Sequence, residues 1–386
     1  MNVLYVFCSQ NFSGAEIVLE RLISANLKSV NPTVLCPSGE FASLLQSKKI
    51  KVYEEPALNS LERQKKIYNS WVLFKRVFLK YIKITWDTHQ ILKKEKIEIV
   101  HANNLGASFY LIPLLIFSKL FRKKIKWIWS NHDLYYPDGL KSIRLVRICY
   151  RFFDKTLAVS QAVKQAYPEF IEKTTVLYNG LDLQKFQYSP EARENMRKAF
   201  GLSKEVQVMA IVGLISEGKG VHLVIEAFQR LLLEFQNIFL LIVGRFSPVE
   251  PAYQARITKL ASSIPQCLLT GPQKNMPEIY SGIDILINAS TAVRSEPLGT
   301  TLYEAMACER IVVASSTGGT PEIIQDPIEG FLFEPDHVED LFKKLDFVIR
   351  NMAQLNSVRK AAWEKVHTTF DIEKMVSKYN QILFQL

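Results

Sequence analysis

Little in this chain would build a disulfide frame or a structural zinc site. Its five cysteines, Cys8, Cys36, Cys149, Cys267 and Cys308, are scattered and form no C-x-x-C pair, a pattern of reduced thiols. No G-x-G-x-x-G follows the first apolar strand, which disfavours a dinucleotide-dependent dehydrogenase. Long apolar runs are missing too. The longest uncharged stretch, Ala102 to Ser118, contains Asn103, Asn104, Gly106 and Pro113, so it reads as a strand end and a buried helix rather than a membrane span. The opening MNVLYVFC has no basic n-region; it is expected to be a β-strand, not a signal peptide. Acidic residues are in the minority, 38 against 48 basic, for a net charge of +10. A basic protein seeks anions: nucleic acid, acidic lipid or phosphorylated substrates. No nucleic-acid recognition motif accompanies the charge, so nucleic acid is not expected as a partner.

What is present is enough for two cores. A chain of 386 residues, 48% of them hydrophobic, exceeds what one core usually holds. Short apolar strands alternate with longer helical patterns, which predicts βαβ units and parallel sheets. The densest chemistry lies in NASTAVRSEPLGTTLYEAMACERIVVASSTGGTPE, Asn288 to Glu322. An apolar strand (Ile283 to Ile287) precedes it, a helical run (Leu302 to Cys308) lies within it, and a second strand (Ile311 to Ala314) follows that run. Pro297 and Gly299 suit the intervening loop, and Thr300 or Thr301 the first helical turn. Glu296 is then expected on the loop at the strand's carboxyl edge, and Glu304 inside the helix near its start. A helix start favours an anion such as phosphate. Two carboxylates beside it make sense if hydroxyls flank the anion, because carboxylates accept hydrogen bonds from hydroxyls. Phosphate between sugars describes a nucleotide sugar. The bland alternative is an amphipathic helix whose glutamates face water.

E-x7-E enclosing P-L-G, then EAMAC, VVAS and GGTPE, resembles the donor-site signature of the retaining family-four glycosyltransferases of GT-B fold. Further matches are Asn179-Gly180-Leu181-Asp182, Lys219-Gly220, Leu269-Thr270-Gly271 and Glu329 to Phe333. The resemblance implies an α/β protein of two Rossmann-like doubly wound domains facing a central cleft. Residues 1–190 would bind the acceptor, 191–370 the nucleotide sugar, and a final helix, 371–386, would cross back to the first domain. It implies transfer of a sugar with retention to a glycolipid, lipid-linked or cell-surface polysaccharide acceptor, in the cytoplasm or peripherally on the inner face of the membrane. Glu296 would hold hydroxyls of the donor sugar and Glu304 those of the ribose. Lys219 and the N–H groups of Thr300 and Thr301 behind Gly299 would take the diphosphate. The chain has no D-x-D triplet, so no metal or other cofactor is expected. One departure stands out: Leu214 occupies the position of the family's arginine, leaving Lys219 without its usual second cation unless Arg245 or Arg294 supplies it.

In the first half, Gly14 opens a helix after the first strand. By resemblance it lies near the donor's phosphates; an ordinary tight turn is the equal alternative. His101 and His132 follow strands whose carboxyl ends should line a ligand crevice. The resemblance brings His132 close to the transferred sugar; either histidine could instead tie neighbouring loops together. The stretch 61–96 carries Arg63, Lys65, Lys66, Lys75, Arg76, Lys80, Lys83, Lys93, Lys94 and Lys96, interleaved with Trp71, Phe74, Phe78, Tyr81 and Trp86. It is expected to be helical, either lying on an anionic membrane surface or packed on the core with a solvated basic face. Two other readings of the whole remain: a non-catalytic sugar-nucleotide-binding or polysaccharide-complex subunit, and a nucleotide-sugar epimerase on the same fold.

Overall fold

A computed structural model describes residues 1–8, 14–58, 71–121, 124–134 and 140–386. Contacts divide the chain into two units, Met1–Gly180 with Ile372–Leu386, and Leu181–Asp371.

The first unit is built on seven parallel strands: β1 (Asn2–Val6), β2 (Asn31–Cys36), β3 (Lys51–Glu54), β4 (Ile99–Ala102), β5 (Lys126–Asn131), β6 (Lys155–Ala158) and β7 (Thr174–Val176). Their order is β3-β2-β1-β4-β5-β6-β7. Successive side chains of a strand face opposite ways, so the sheet separates two cores. Leu4 and Val6 join Ile84, Ile91, Leu111 and Trp127 on one face. Val3 and Tyr5 join Val18, Leu22, Met375 and Tyr379 on the other. That second face receives both the helix Gly14–Ala25 and the last helix, Ile372–Phe384, and the Asn26 and Asn380 side chains exchange hydrogen bonds of 2.9 Å.

The second unit has six parallel strands: β8 (Gln207–Val212), β9 (Ile238–Val243), β10 (Cys267–Gly271), β11 (Ile285–Asn288), β12 (Ile311–Ser315) and β13 (Phe331–Phe333). Their order is β10-β9-β8-β11-β12-β13. Both orders run outward from a central pair, the doubly wound arrangement.

Several boundaries differ from expectation for identifiable reasons. Residues 181–190 fall in the second unit because its polar lead-in segment is pinned there. Arg193 and Arg197 of the helix Pro190–Ala199 each bond Asp284 at 2.7 Å, and Arg193 also reaches the carbonyls of Ser281, Gly282 and Ile283. The basic helix runs Trp71–Lys94 and ends where Lys96 turns to φ +50°, a left-handed residue that stops a helix. The expected helical start at 61–70, with Arg63, Lys65 and Lys66, lies outside the described residues, as do the side chains of Trp71, Phe74, Lys75, Arg76 and Phe78. Strand β3 was not expected; it is a short, half-exposed edge strand with little apolar signal.

Candidate functional site

In a doubly wound sheet, ligands bind beyond the carboxyl ends of the strands where the order reverses. That point lies between β8 and β11 in the second unit. After β8 the chain passes Gly213 and Leu214 into a short turn, Glu217–Lys219. Gly220 follows at φ +63°, and a Cβ there would lie 2.0 Å from the Ala289 carbonyl oxygen. Glycine alone meets both demands. The close approach joins the loop after β8 to the loop after β11, where the Thr291 N–H donates to the Gly218 carbonyl at 3.0 Å.

With the loops joined, the Lys219 ammonium donates to Glu296 Oε2. The same oxygen accepts from Ser290 Oγ at 3.1 Å, and the Glu296 carbonyl accepts from the Gly319 N–H at 2.8 Å. Burial pushes the Glu296 carboxyl up, but the Lys219 charge and hydrogen bonds from Lys219, Ser290 and Asn288 outweigh it and hold the group below the usual carboxylate range. Beside the pair is a small hollow whose lining includes Gly213, Leu214, Lys219 and Asn288.

Gly299, at φ +24°, leads into the helix Thr300–Ala307; a Cβ there would sit 2.8 Å from Leu302 Cδ1. Thr300 and Thr301 form its first turn. Glu304, one turn further on, is nearly buried, and its Oε2 accepts from the Tyr280 hydroxyl at 2.9 Å. The two acids therefore differ in kind: Glu296 faces a cation, and Glu304 bonds a neutral phenol. Tyr280, Ser290 and Thr317, whose hydroxyl lies 3.5 Å from the Glu296 N–H, carried no signal in the sequence because an isolated hydroxyl has no diagnostic spacing.

Leu214 is half exposed and brings no charge. The Arg294 stem lies on Gly218, where a Cβ would come within 2.4 Å of Arg294 Cγ, so Arg294 rises one residue from Lys219. Arg245 is exposed on the loop after β9, and its carbonyl accepts from the Ile215 N–H at 2.8 Å.

In the first unit the order reverses between β1 and β4. The helix after β1 begins at Gly14, which is exposed; a Cβ there would meet nothing within 4 Å. Asn103, after β4, donates from Nδ2 to the Ala15 carbonyl at 3.3 Å, which turns its Oδ1 toward His132 Nε2 at 3.2 Å. That oxygen can only accept, so His132 carries its proton on Nε2 and presents Nδ1 as an acceptor. Burial pushes His132 below its ordinary value. His101 is fully enclosed, with Nδ1 2.8 Å from the Tyr379 hydroxyl and Nε2 2.7 Å from Ser130 Oγ. Burial first, then the nearby His132, push it down to about 3. It ties the last helix to the sheet and is shut off from solvent. Among the described residues no group of three or more His, Cys, Asp and Glu converges as a metal site would require.

Two parallel doubly wound sheets with these sites at their switch points define a GT-B glycosyltransferase fold. The family pattern for glycosyl transferases group 1 matches residues 192–365, and that for glycosyltransferase family 4 matches residues 12–185. The chain belongs to this family. It resembles the lipopolysaccharide 1,2-N-acetylglucosaminetransferase of Salmonella typhimurium, 26% identical over 235 residues, 56% of this chain and 61% of that one. It also resembles the N-acetyl-alpha-D-glucosaminyl L-malate synthase of Bacillus anthracis, 24% identical over 63% of this chain and 62% of that one. The matches thus span about six-tenths of these curated relatives. Among solved structures, Anabaena HepE in complex with UDP-glucose superimposes over 100% of both chains with a TM-score of 0.83 at 22% identity. Sucrose-phosphate synthase from Thermosynechococcus elongatus does so over 100% and 98% with a TM-score of 0.81 at 16% identity.

Proposed function

We propose that this protein transfers a hexose-type sugar from a nucleotide-sugar donor to an acceptor, with retention and without a metal. The observation that carries the reading is the Lys219–Glu296 pair at the switch point of the second sheet, beside a helix led by glycine. An ammonium and bare helix-start N–H groups suit a diphosphate. A carboxylate kept ionised beside them suits sugar hydroxyls. HepE, with the same fold, is described bound to UDP-glucose, so uridine diphosphate sugars are the first donors to test.

Diphosphate binding would draw Lys219 toward the phosphates and free Glu296 for the sugar. Arg294 would add the second cation in place of the one absent at Leu214, and Glu304 would take the ribose hydroxyls. As the bond from the sugar's anomeric carbon to the phosphate oxygen breaks, Lys219 and the Thr300 and Thr301 N–H groups would hold the developing negative charge. The acceptor oxygen would bond the anomeric carbon from the same face, and its proton would pass to the departing diphosphate. His132 Nδ1 would accept from a hydroxyl of the transferred sugar, with Gly14 leaving room for phosphate at the neighbouring helix start. The acceptor is proposed to be a lipid-linked or cell-surface polysaccharide intermediate, in line with the lipopolysaccharide enzyme among its relatives.

The test is a donor panel with released nucleoside diphosphate as readout, run with and without a chelator. One donor should be hydrolysed slowly or transferred, undiminished by chelation. No release from any donor, with tight binding of one, would instead favour a non-catalytic binder, the reading that Leu214 supports. Sugar isomerisation without release would favour an epimerase.

A further inference from the structure

The helix Trp71–Lys94 has two apolar stripes where a core-packed helix needs one. Its inner stripe, Ile84, Ile91 and Leu92, is buried against the first sheet. Leu79, Ile82 and Trp86, at i, i+3 and i+7, share the opposite face and are 54%, 51% and 63% exposed. The stripe continues onto the neighbouring helix Leu105–Leu120. His89 meets Phe117 edge-on at 6.2 Å, and Phe117 packs on Phe121 at 4.4 Å. Leu120 and Phe121 are 74% and 64% exposed. Single exposed apolar residues are ordinary, but a contiguous aromatic and aliphatic patch marks an interaction surface.

The rim of this patch is basic. Lys80, Lys93 and Lys94 project from the same helix, Lys119 stands in the last turn of the second helix, and Lys124 follows it. The acids nearby are engaged: Asp87 and Glu55 by Lys83, Glu95 by Lys51, and Asp154 by Lys119. An apolar centre carrying a tryptophan, ringed by lysines with long flexible stems, matches the boundary between acyl chains and anionic headgroups. Each lysine near such a surface adds roughly 1 kcal/mol of attraction. No helix among the described residues is long and apolar enough to cross a membrane, so any contact made by these helices is superficial.

We propose that this face, Leu79, Ile82, Trp86, Phe117, Leu120 and Phe121 within a lysine rim, docks the first unit on an anionic lipid bilayer. It extends the basic stretch of the sequence onto a second helix and places the contact on the outward side of the first. The inference stands apart from the donor chemistry, because it uses none of the donor-site residues.

The test is co-sedimentation of the full chain with neutral vesicles and with vesicles containing phosphatidylglycerol, at low and high salt. Binding should require the anionic lipid, weaken with salt, and fall at least about tenfold in the Trp86→Ser/Leu120→Ser double variant. A Lys93→Glu/Lys94→Glu variant should lose the preference for anionic lipid. All these side chains are exposed, so thermal melts and donor-panel activity in solution should be unchanged, which separates failure of this proposal from failure of the transferase reading. Absent binding, equal binding to neutral vesicles, or unchanged binding by the double variant would overturn it. Self-association that the double variant abolishes would also overturn it, since the face would then belong to a second copy of this chain.

Discussion

Removing Lys219 leaves Glu296 without its ion-pair partner, and the penalty follows from how far each is withdrawn from water. The lysine side chain is 36% exposed and the glutamate 14%. Breaking a fully buried pair costs about 3–5 kcal/mol, and an exposed one about 0–1 kcal/mol. Here Ser290 still holds the carboxylate after the lysine is gone, so Lys219→Ala should cost about 2 kcal/mol of stability. Glu296→Ala should cost less, because the freed ammonium can turn to solvent. The double variant should fall short of the sum by about 1 kcal/mol, the coupling of the pair. Urea denaturation of the four full-length proteins measures it. The sign with pH is also fixed. With its value depressed, Glu296 contributes stability above the ordinary carboxylate pKa that is lost as pH falls through the folded value. In Lys219→Ala, burial acts unopposed by that cation, so the gap between the two proteins should be widest at neutral pH and close in acid. A coupling below about 0.3 kcal/mol, or a gap indifferent to pH, would refute the pairing and the poised carboxylate with it.

Glu304→Ala and Lys219→Ala should each weaken donor use sharply while the circular dichroism spectrum stays the same, Lys219→Ala by roughly 10²–10³ in turnover; unchanged donor affinity and turnover in both would remove the site assignment. Gly220→Ala forces a side chain onto a left-handed residue and against the Ala289 carbonyl, so it should cost more than about 1–2 kcal/mol in a melt and, by parting the two loops, depress donor binding as well. His101, held at about 3 when folded, binds its proton more readily unfolded; its contribution is complete above about pH 6.5 and drains away toward pH 3. Wild type should therefore lose about 1.4 kcal/mol per pH unit there from this group, and His101→Gln, whose side chain does not titrate, should show a correspondingly flatter urea-midpoint profile.

Much of the fold was legible because buried parallel strands are short apolar runs with helical periodicity between them, as Ile238 to Val243 and the helix Val221–Leu231 illustrate. The resemblance lay in local motifs, and a local motif keeps its residues together when the chain folds: Glu296, Gly299 and Glu304 lie on one strand-loop-helix passage in both descriptions. What could not be read were partnerships across the chain. Tyr280 reaches Glu304 over 24 positions, Arg197 reaches Asp284 over 87, and Tyr379 reaches His101 over 278. Each needs the folded topology, because no spacing rule relates residues on different elements. The expected limit of the first unit at residue 190 differs from the observed one at Gly180 for the same reason: no spacing shows that Arg193 and Arg197 meet Asp284.

The substitution at Leu214 shows how such a long-range partner can alter the meaning of a motif. On sequence alone, a missing cation argues for lost catalysis. In the folded second unit, Gly218 is bare, and the Arg294 stem occupies the space that any side chain there would need. The Thr291 N–H on the Gly218 carbonyl holds the segment bearing Arg294 against that glycine, and Ala292 is fixed from the other side by Asp336 at 3.0 Å. Glycine at 218 and arginine at 294 are therefore a matched pair, positioned by the β11 loop rather than by the β8 loop. Lys219 meets a carboxylate, whereas no ion pair among the described residues engages Arg294. A cation that no described acid engages, one residue from a cation that is so engaged, is better suited to meet an incoming diphosphate than to stabilise the empty protein. Arg294→Ala should therefore leave the melt unchanged while raising the donor concentration needed for half-maximal turnover, and Gly218→Ala, whose Cβ would meet Arg294 Cγ at 2.4 Å and Cβ at 2.6 Å, should raise that concentration too while also lowering the melt. Equal donor use in both variants would return the argument to Leu214 and to a site that binds without reacting.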